Sequence, residues 1–202
     1  MTTAPHVAPT ATMLPLRTPR TPERIVLTGF MGSGKSTVGV LLAAELGWSF
    51  IDLDSEIERR TGLNVPQMFA EKGEAAFRKE ETAALAAALG CTHAIIALGG
   101  GAPETLANRL LLEQTPATTV VYLTAPLVTL AQRCAAQDVL AASPGSTFRP
   151  NFADPIAAES KFIARQPIYR RLAHISLETG DLTPEGTVAA LLTAVAAKAA
   201  RA

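Results

Sequence analysis

Gly29-Phe30-Met31-Gly32-Ser33-Gly34-Lys35-Ser36-Thr37 is the stretch on which the reading of this chain turns. It satisfies G-x-x-x-x-G-K-[ST], which reads as a phosphate-binding loop when a β-type run precedes it and a helical pattern follows. Ile25–Thr28 supplies the first flank and Lys35–Leu46 the second. Glycines let successive backbone N–H groups turn inward on phosphate oxygens, at a helix N-terminus whose dipole favours negative charge. Gly32, Ser33 and Gly34 therefore form the expected cradle of a nucleotide. Lys35 would reach the β/γ-phosphates, Ser36 would offer its hydroxyl to Mg²⁺, and Thr37 adds a second hydroxyl near the α/β-phosphates. The plain alternative, a glycine-rich turn with an ordinary lysine, does not call for both flanks. A GTPase switch should also carry D-x-x-G and N-K-x-D, and neither is present.

Outward from this loop, short apolar runs alternate with longer Ala/Leu-rich segments, the signature of βαβ units and a parallel sheet. The pattern predicts strands at Ile25–Thr28, Ser49–Leu53, Ala94–Leu98, Thr119–Leu123 and Ala173–Leu177. It predicts helices at Lys35–Leu46, Val65–Glu71, Glu74–Leu89, Pro103–Leu112, Pro126–Ala136, Pro155–Leu172 and Pro184–Ala197. Gly47 and Gly90 stand where C′ glycines would, and Thr183-Pro184 reads as an N-cap followed by proline at N1. Between Ser55 and Leu89 two or three helical pieces exceed a simple crossover, so residues 55–90 are the expected substrate-binding region. Val139–Phe152 has Pro144, Gly145, Ser146, Thr147 and Pro150 without a period, and residues 138–156 are the expected mobile lid.

The second strand ends Phe50-Ile51-Asp52-Leu53-Asp54. Carboxylates at i and i+2 of a strand turn to one side. Asp52 is then placed near hydrated Mg²⁺ and Asp54 at the attacking hydroxyl, whose proton it can accept. Two solvated residues at a strand end are the alternative. Arg78 and Glu81 fall at i and i+3 of a helix, which fits either a surface ion pair or a bidentate clamp for a small carboxylate. Gly99-Gly100-Gly101 follows a strand, where ligands of open α/β sheets usually lie and where missing side chains admit close backbone approach.

Taken together, GFMGSGKSTVG at 29–39, FIDLDSEIERRTG at 50–62, FAEKGEAAFRKEE at 69–81, LGGG at 98–101, VVYL at 120–123, FRP at 148–150 and ARQPIYRRLA at 164–173 resemble the shikimate kinase family. The resemblance implies a three-layer α/β fold of the P-loop nucleoside-monophosphate-kinase type, with a five-stranded parallel sheet ordered 2-3-1-4-5. It implies ATP-dependent phosphorylation of the 3-hydroxyl of shikimate, in aromatic amino-acid (chorismate) biosynthesis. Asp54, Arg78, Gly100, Gly101 and Arg165 match shikimate-binding positions, the two arginines meeting its carboxylate. Asp52 matches a position near Mg²⁺, Arg133 an adenine-stacking arginine and Arg149 the lid arginine that closes on ATP. Val65, Phe69 and Phe77 match apolar pocket walls, with plain core packing as the other reading. A cation arriving on closure can stabilise charge on the transferring phosphoryl group and exclude water. The chain departs from the family's pattern after Arg149-Pro150, where Asn151-Phe152 replaces two leucines and the preceding lid is longer. A gluconate-kinase-like enzyme and a non-catalytic ATP-binding regulator are the rival readings.

The remaining composition is consistent with a small-molecule enzyme. The 202 residues are 48% hydrophobic and 18% charged, enough for one core, and the formal charge is +0, so there is no global field to hold nucleic acid or an anionic membrane. Thirteen of the eighteen basic residues are arginine, a bias toward bidentate recognition of carboxylate or phosphate. Cys91 and Cys134 show neither metal spacing nor a disulfide framework, which suits a reduced cytoplasm. Residues 1–22 hold five prolines and no acidic residue and are expected to be a disordered tail ahead of a single domain at 23–202. Arg17 and Arg20 leave room for a targeting role, and Met13 for an alternative start. A monomer with no nucleic-acid or membrane partner is expected.

Overall fold

The structure, a computed structural model, describes residues 22–140 and 154–201, with no side-chain description for 138–140. The expected tail and most of the expected lid, Arg149 included, lie outside the described residues.

Five strands, β1 (Arg24–Thr28), β2 (Ser49–Asp52), β3 (Ala94–Ala97), β4 (Thr118–Thr124) and β5 (Ile175–Glu178), form one parallel sheet in the order β2-β3-β1-β4-β5. The helices are α1 (Lys35–Leu46), α2 (Leu53–Thr61), α3 (Val65–Leu89), α4 (Leu106–Gln114), α5 (Leu127–Leu140), α6 (Pro155–Leu172) and α7 (Pro184–Ala199), with a 3₁₀ turn at Ala102–Glu104. All five residues of β1 are buried, as a central parallel strand covered on both faces requires.

Strand alternation sorts the core into two layers. Ile25, Leu27, Ile95, Val121 and Leu123 face Val38 and Leu42 of α1 and Val188 and Leu191 of α7. Val26, Ile96 and Val120 face the other way, onto Leu53 and Ile57 of α2, Leu85 and Ala88 of α3 and Leu112 of α4. A third cluster, with Phe30, Tyr122, Leu130, Phe162 and Tyr169, packs α5 and α6 around the phosphate-loop end of the sheet. Burying side chains of this size contributes roughly 1.5–3 kcal/mol each before entropy is charged.

Several boundaries differ from those expected. β2 stops at Asp52, and Leu53 begins α2, a helix that no predicted helix covered. The Asp52 side chain caps α2, accepting from the backbone N–H groups of Asp54 and Ser55. The segment 65–89 runs as one α3, but Gly73, at φ 80° and ψ 169°, interrupts the helical backbone where two helices were expected. Gly47 is left-handed at the end of α1, whereas Gly90, at φ −72°, is not. The expected helix at Pro103–Leu112 divides into the 3₁₀ turn and α4. Thr183 caps α7 through the N–H of Gly186, with Pro184 at N1.

Candidate active site

The phosphate loop leaves β1, the central strand, at its carboxyl end and runs straight into α1. Gly29 has φ +148°, and a Cβ there would collide with the carbonyl oxygen of Leu123 on β4, so only glycine fits between the two strands. Gly32 and Gly34 also have positive φ, while Ser33 is buried. Lys35 Nζ donates to the carbonyl oxygens of Gly29 and Phe30, both at 3.0 Å, and lies 3.5 Å from Ser33 Oγ. The ammonium is thus held over the loop that it would share with phosphate oxygens. Ser36 and Thr37, in the first turn of α1, are exposed.

Ser36 Oγ donates to Asp52 Oδ2 at 2.7 Å. Asp52 Oδ1 accepts from Asp54 N at 3.2 Å and Ser55 N at 3.4 Å. The pairing of Asp52 and Asp54 therefore has a different origin from the one expected: α2 begins at Leu53, so a cap and a first-turn position bring the carboxylates together, not the pleat of a strand. They divide the site. Asp52 meets the phosphate loop, and Asp54 reaches the glycine run, its Oδ1 2.7 Å from where a Cβ on Gly99 would stand. Two adjoining oxygens, one hydroxyl and one carboxylate, fit Mg²⁺, which takes one or two protein oxygens and keeps several waters.

Gly99, Gly100 and Gly101 form the floor of the expected acceptor side. Cβ atoms there would stand 3.4 Å from Glu81 Oε1 at Gly99, 3.7 Å from Arg165 Nη1 at Gly100 and 2.8 Å from Arg78 Nη2 at Gly101. Arg78 from α3 and Arg165 from α6 therefore converge on one glycine run. The Arg78–Glu81 pair is not the surface pair that was the bland reading. Arg78 Nη1 donates to Glu81 Oε2 at 2.9 Å, and the Glu81 side chain is 1% exposed. Buried Asn108 reaches the same oxygen at 3.5 Å and donates to Ala102 O at 2.9 Å, tying the glycine run to α3. Burial pushes the Glu81 carboxyl above its usual range; Arg78 opposes the rise, and the Asp54 and Glu104 carboxylates add to it. Desolvation works against the Arg78 charge, yet Glu81 and Glu74 outweigh it, so its guanidinium is held more firmly protonated.

Three further residues escaped the sequence reading. Glu104 Oε2 accepts from Arg165 Nη2 at 2.7 Å and lies 3.9 Å from Arg78 Nη2. Tyr169, one turn beyond Arg165 on α6, donates its hydroxyl to Gly100 O at 2.5 Å, and burial raises its pKa. Asn108 is the third. Only the Arg165/Tyr169 spacing of four left a trace in the sequence, since it puts both on one helix face.

Arg133, on α5, donates to Thr179 O at 2.5 Å, Thr179 Oγ1 at 3.1 Å and Gly180 O at 3.3 Å. It fastens the loop that follows β5. Among the expected pocket walls, Val65 packs against the core, Phe77 is 4% exposed within it, and Phe69 is exposed with its ring 4.6 Å from that of Phe77.

The chain as a whole has counterparts among known proteins. A shikimate kinase family model matches residues 31–196. A shikimate kinase of Nitrosomonas europaea is 39% identical over 171 residues, covering 85% of this chain and 77% of its own length. One from Halorhodospira halophila is 43% identical over 163 residues, 79% of this chain and 86% of that protein. Among solved structures, a shikimate kinase from Acinetobacter baumannii in complex with shikimate superposes with a TM-score of 0.76 at 33% identity, over 88% of this chain and 95% of that one. A gluconokinase from Sinorhizobium meliloti, at 20% identity and a TM-score of 0.58 over 90% of this chain and 96% of that one, shares the fold.

Proposed function

The chain belongs to the shikimate kinase family, and from that premise we propose that it transfers the γ-phosphoryl group of ATP directly to the 3-hydroxyl of shikimate, with the following division of labour. Lys35 and the N–H groups of residues 32–37 bind the phosphates. Ser36 and Asp52 would hold Mg²⁺, which supplies charge neutralisation to the phosphates when bound. Asp54 orients the acceptor hydroxyl and takes its proton, which leaves as the new O–P bond forms and the bond to the ADP oxygen breaks. Arg78 and Arg165 fix the substrate carboxylate, and Gly100 and Gly101 let the ring approach the backbone. Arg149 is proposed to close over the phosphates, and Arg133 to flank the adenine. Positioning and electrostatics supply most of the rate in such transfers, and these side chains offer both.

The observation that carries this reading is the convergence of Arg78 and Arg165 on the glycine run, with Asp54 between them and the phosphate loop. Gluconate lacks shikimate's ring, and the gluconokinase likeness extends to the fold alone. ADP release coupled to NADH oxidation is expected to require shikimate. Activity with gluconate and not shikimate would overturn the acceptor assignment, and ATP binding without shikimate-dependent ADP at any enzyme concentration would mark a regulator. We also propose a monomer acting in the cytoplasm without a nucleic-acid partner, the last in line with the zero formal charge; sedimentation checks the first and retention on immobilised nucleic acid the last. Among the described residues no helix is long and apolar enough to cross a membrane.

A further inference from the structure

One oxygen of Glu104 stands between the two guanidinium groups of the pocket, 2.7 Å from Arg165 Nη2 and 3.9 Å from Arg78 Nη2. Gly101 makes the space for it, since a Cβ there would lie 3.1 Å from that oxygen. The backbone beneath is pinned. Glu104 N donates to Gly101 O at 2.9 Å, and Arg109 Nη1 donates to the carbonyl oxygens of Pro103 and Glu104, both at 2.9 Å. The side chain is 39% exposed and can swing toward water with its backbone unmoved.

We propose that Glu104 is a resident carboxylate that occupies the anion position between Arg78 and Arg165, so that an incoming substrate carboxylate must exchange with it. This rests on the reading of the two arginines as the substrate clamp. The exchange favours a bidentate ligand. Among the described residues, Arg165 Nε is buried without a hydrogen-bond partner, and Glu104 satisfies only Nη2. A planar carboxylate across Nε and Nη2 meets both donors, which the tethered side chain does not do. A carboxylate that can make only one contact gains nothing over Glu104, whose tether gives it a high effective concentration. Glu104 therefore sets specificity by excluding weak anions from the clamp and sparing the arginines from mutual repulsion when the pocket is unliganded.

Isothermal titration of the full chain with shikimate, without nucleotide, tests this. Glu104→Gln and Glu104→Ala are expected to bind shikimate about fivefold more tightly, the upper range for a partly exposed ion pair that no longer has to be broken. Acetate, used as a weak-anion probe, should compete with shikimate in Glu104→Ala at concentrations that leave the wild type unaffected. Unchanged or weaker shikimate binding in both variants, or equal acetate sensitivity, overturns the proposal. Arg165→Ala separates the two levels of the argument. If it leaves shikimate affinity intact, the clamp itself fails; if it abolishes binding while the Glu104 variants do not tighten it, only the resident carboxylate fails.

Discussion

Replacing Asp52 by asparagine separates the two tasks that its carboxylate combines. One oxygen caps α2 through Asp54 N and Ser55 N; the other accepts from Ser36. Asparagine keeps a cap acceptor of equal rank, so unfolding free energy should stay within about 0.5 kcal/mol of the wild type. Alanine removes the cap and should cost about 1 kcal/mol, a fall in Tm of roughly 2–4 °C for a chain of this size. The charge is lost in both variants. If Asp52 holds Mg²⁺ with Ser36, half-saturating Mg²⁺ should rise about 10–100-fold in both, the usual range for weakening a metal's ligand environment. Thermal melts without nucleotide and Mg²⁺ titrations of shikimate-dependent ADP release measure the two effects on the same preparations. A Mg²⁺ requirement unchanged in Asp52→Asn would refute the metal role and leave Asp52 as a helix cap.

Three other perturbations probe the neighbouring structure. Glu81→Ala leaves Arg78 and Asn108 without their buried acceptor and should destabilise by about 3 kcal/mol in urea unfolding, as breaking one side of a buried pair does. Gly101→Ala meets no backbone strain at φ −92° but pushes on Arg78 Nη2, so KM for shikimate should rise about tenfold, one charge-assisted bond's worth, with KM for ATP unmoved. His174 accepts from Val120 N–H through Nδ1, and burial, aided by the Lys198 charge, lowers its pKa below 6.5. The unfolded chain then binds this proton before the folded one does, so the contribution is complete above pH 6.5 and is lost as pH falls through the folded pKa. His174→Asn, which keeps an acceptor two bonds beyond Cβ, should flatten that decline in pH-dependent melts.

The phosphate loop was legible because its chemistry is local: nine consecutive residues carry the glycines, the lysine and the hydroxyl. The strand order and the substrate residues came from the family resemblance, and the structure has the same order. The start of α2 was misread because Ile51 to Asp54 alternates apolar and acidic residues as a strand does. The competing signal was Asp52 as a cap, with Asp54 and Glu56 in the first turn, Arg59 and Arg60 in the last and Gly62 beyond. Glu104 had no local signal at all. It reaches Arg165 only because a 3₁₀ turn after the glycine run aims it across 61 positions of chain. Glu81 and Asn108 likewise meet across 27 positions, through packing that no periodicity encodes.

The interruption at Gly73 gives α3 two mechanical halves. Beyond it, Arg78 and Glu81 are anchored through Asn108 to the sheet's glycine run, while before it Phe69 and its neighbours at 70–72 face solvent. The kink at Gly73 separates the leading turns from the piece that carries the guanidinium. The exposed residues around buried Met68 should open locally more readily than the anchored piece beyond the break, so amide deuteration over 66–72 should run ahead of that over 78–88.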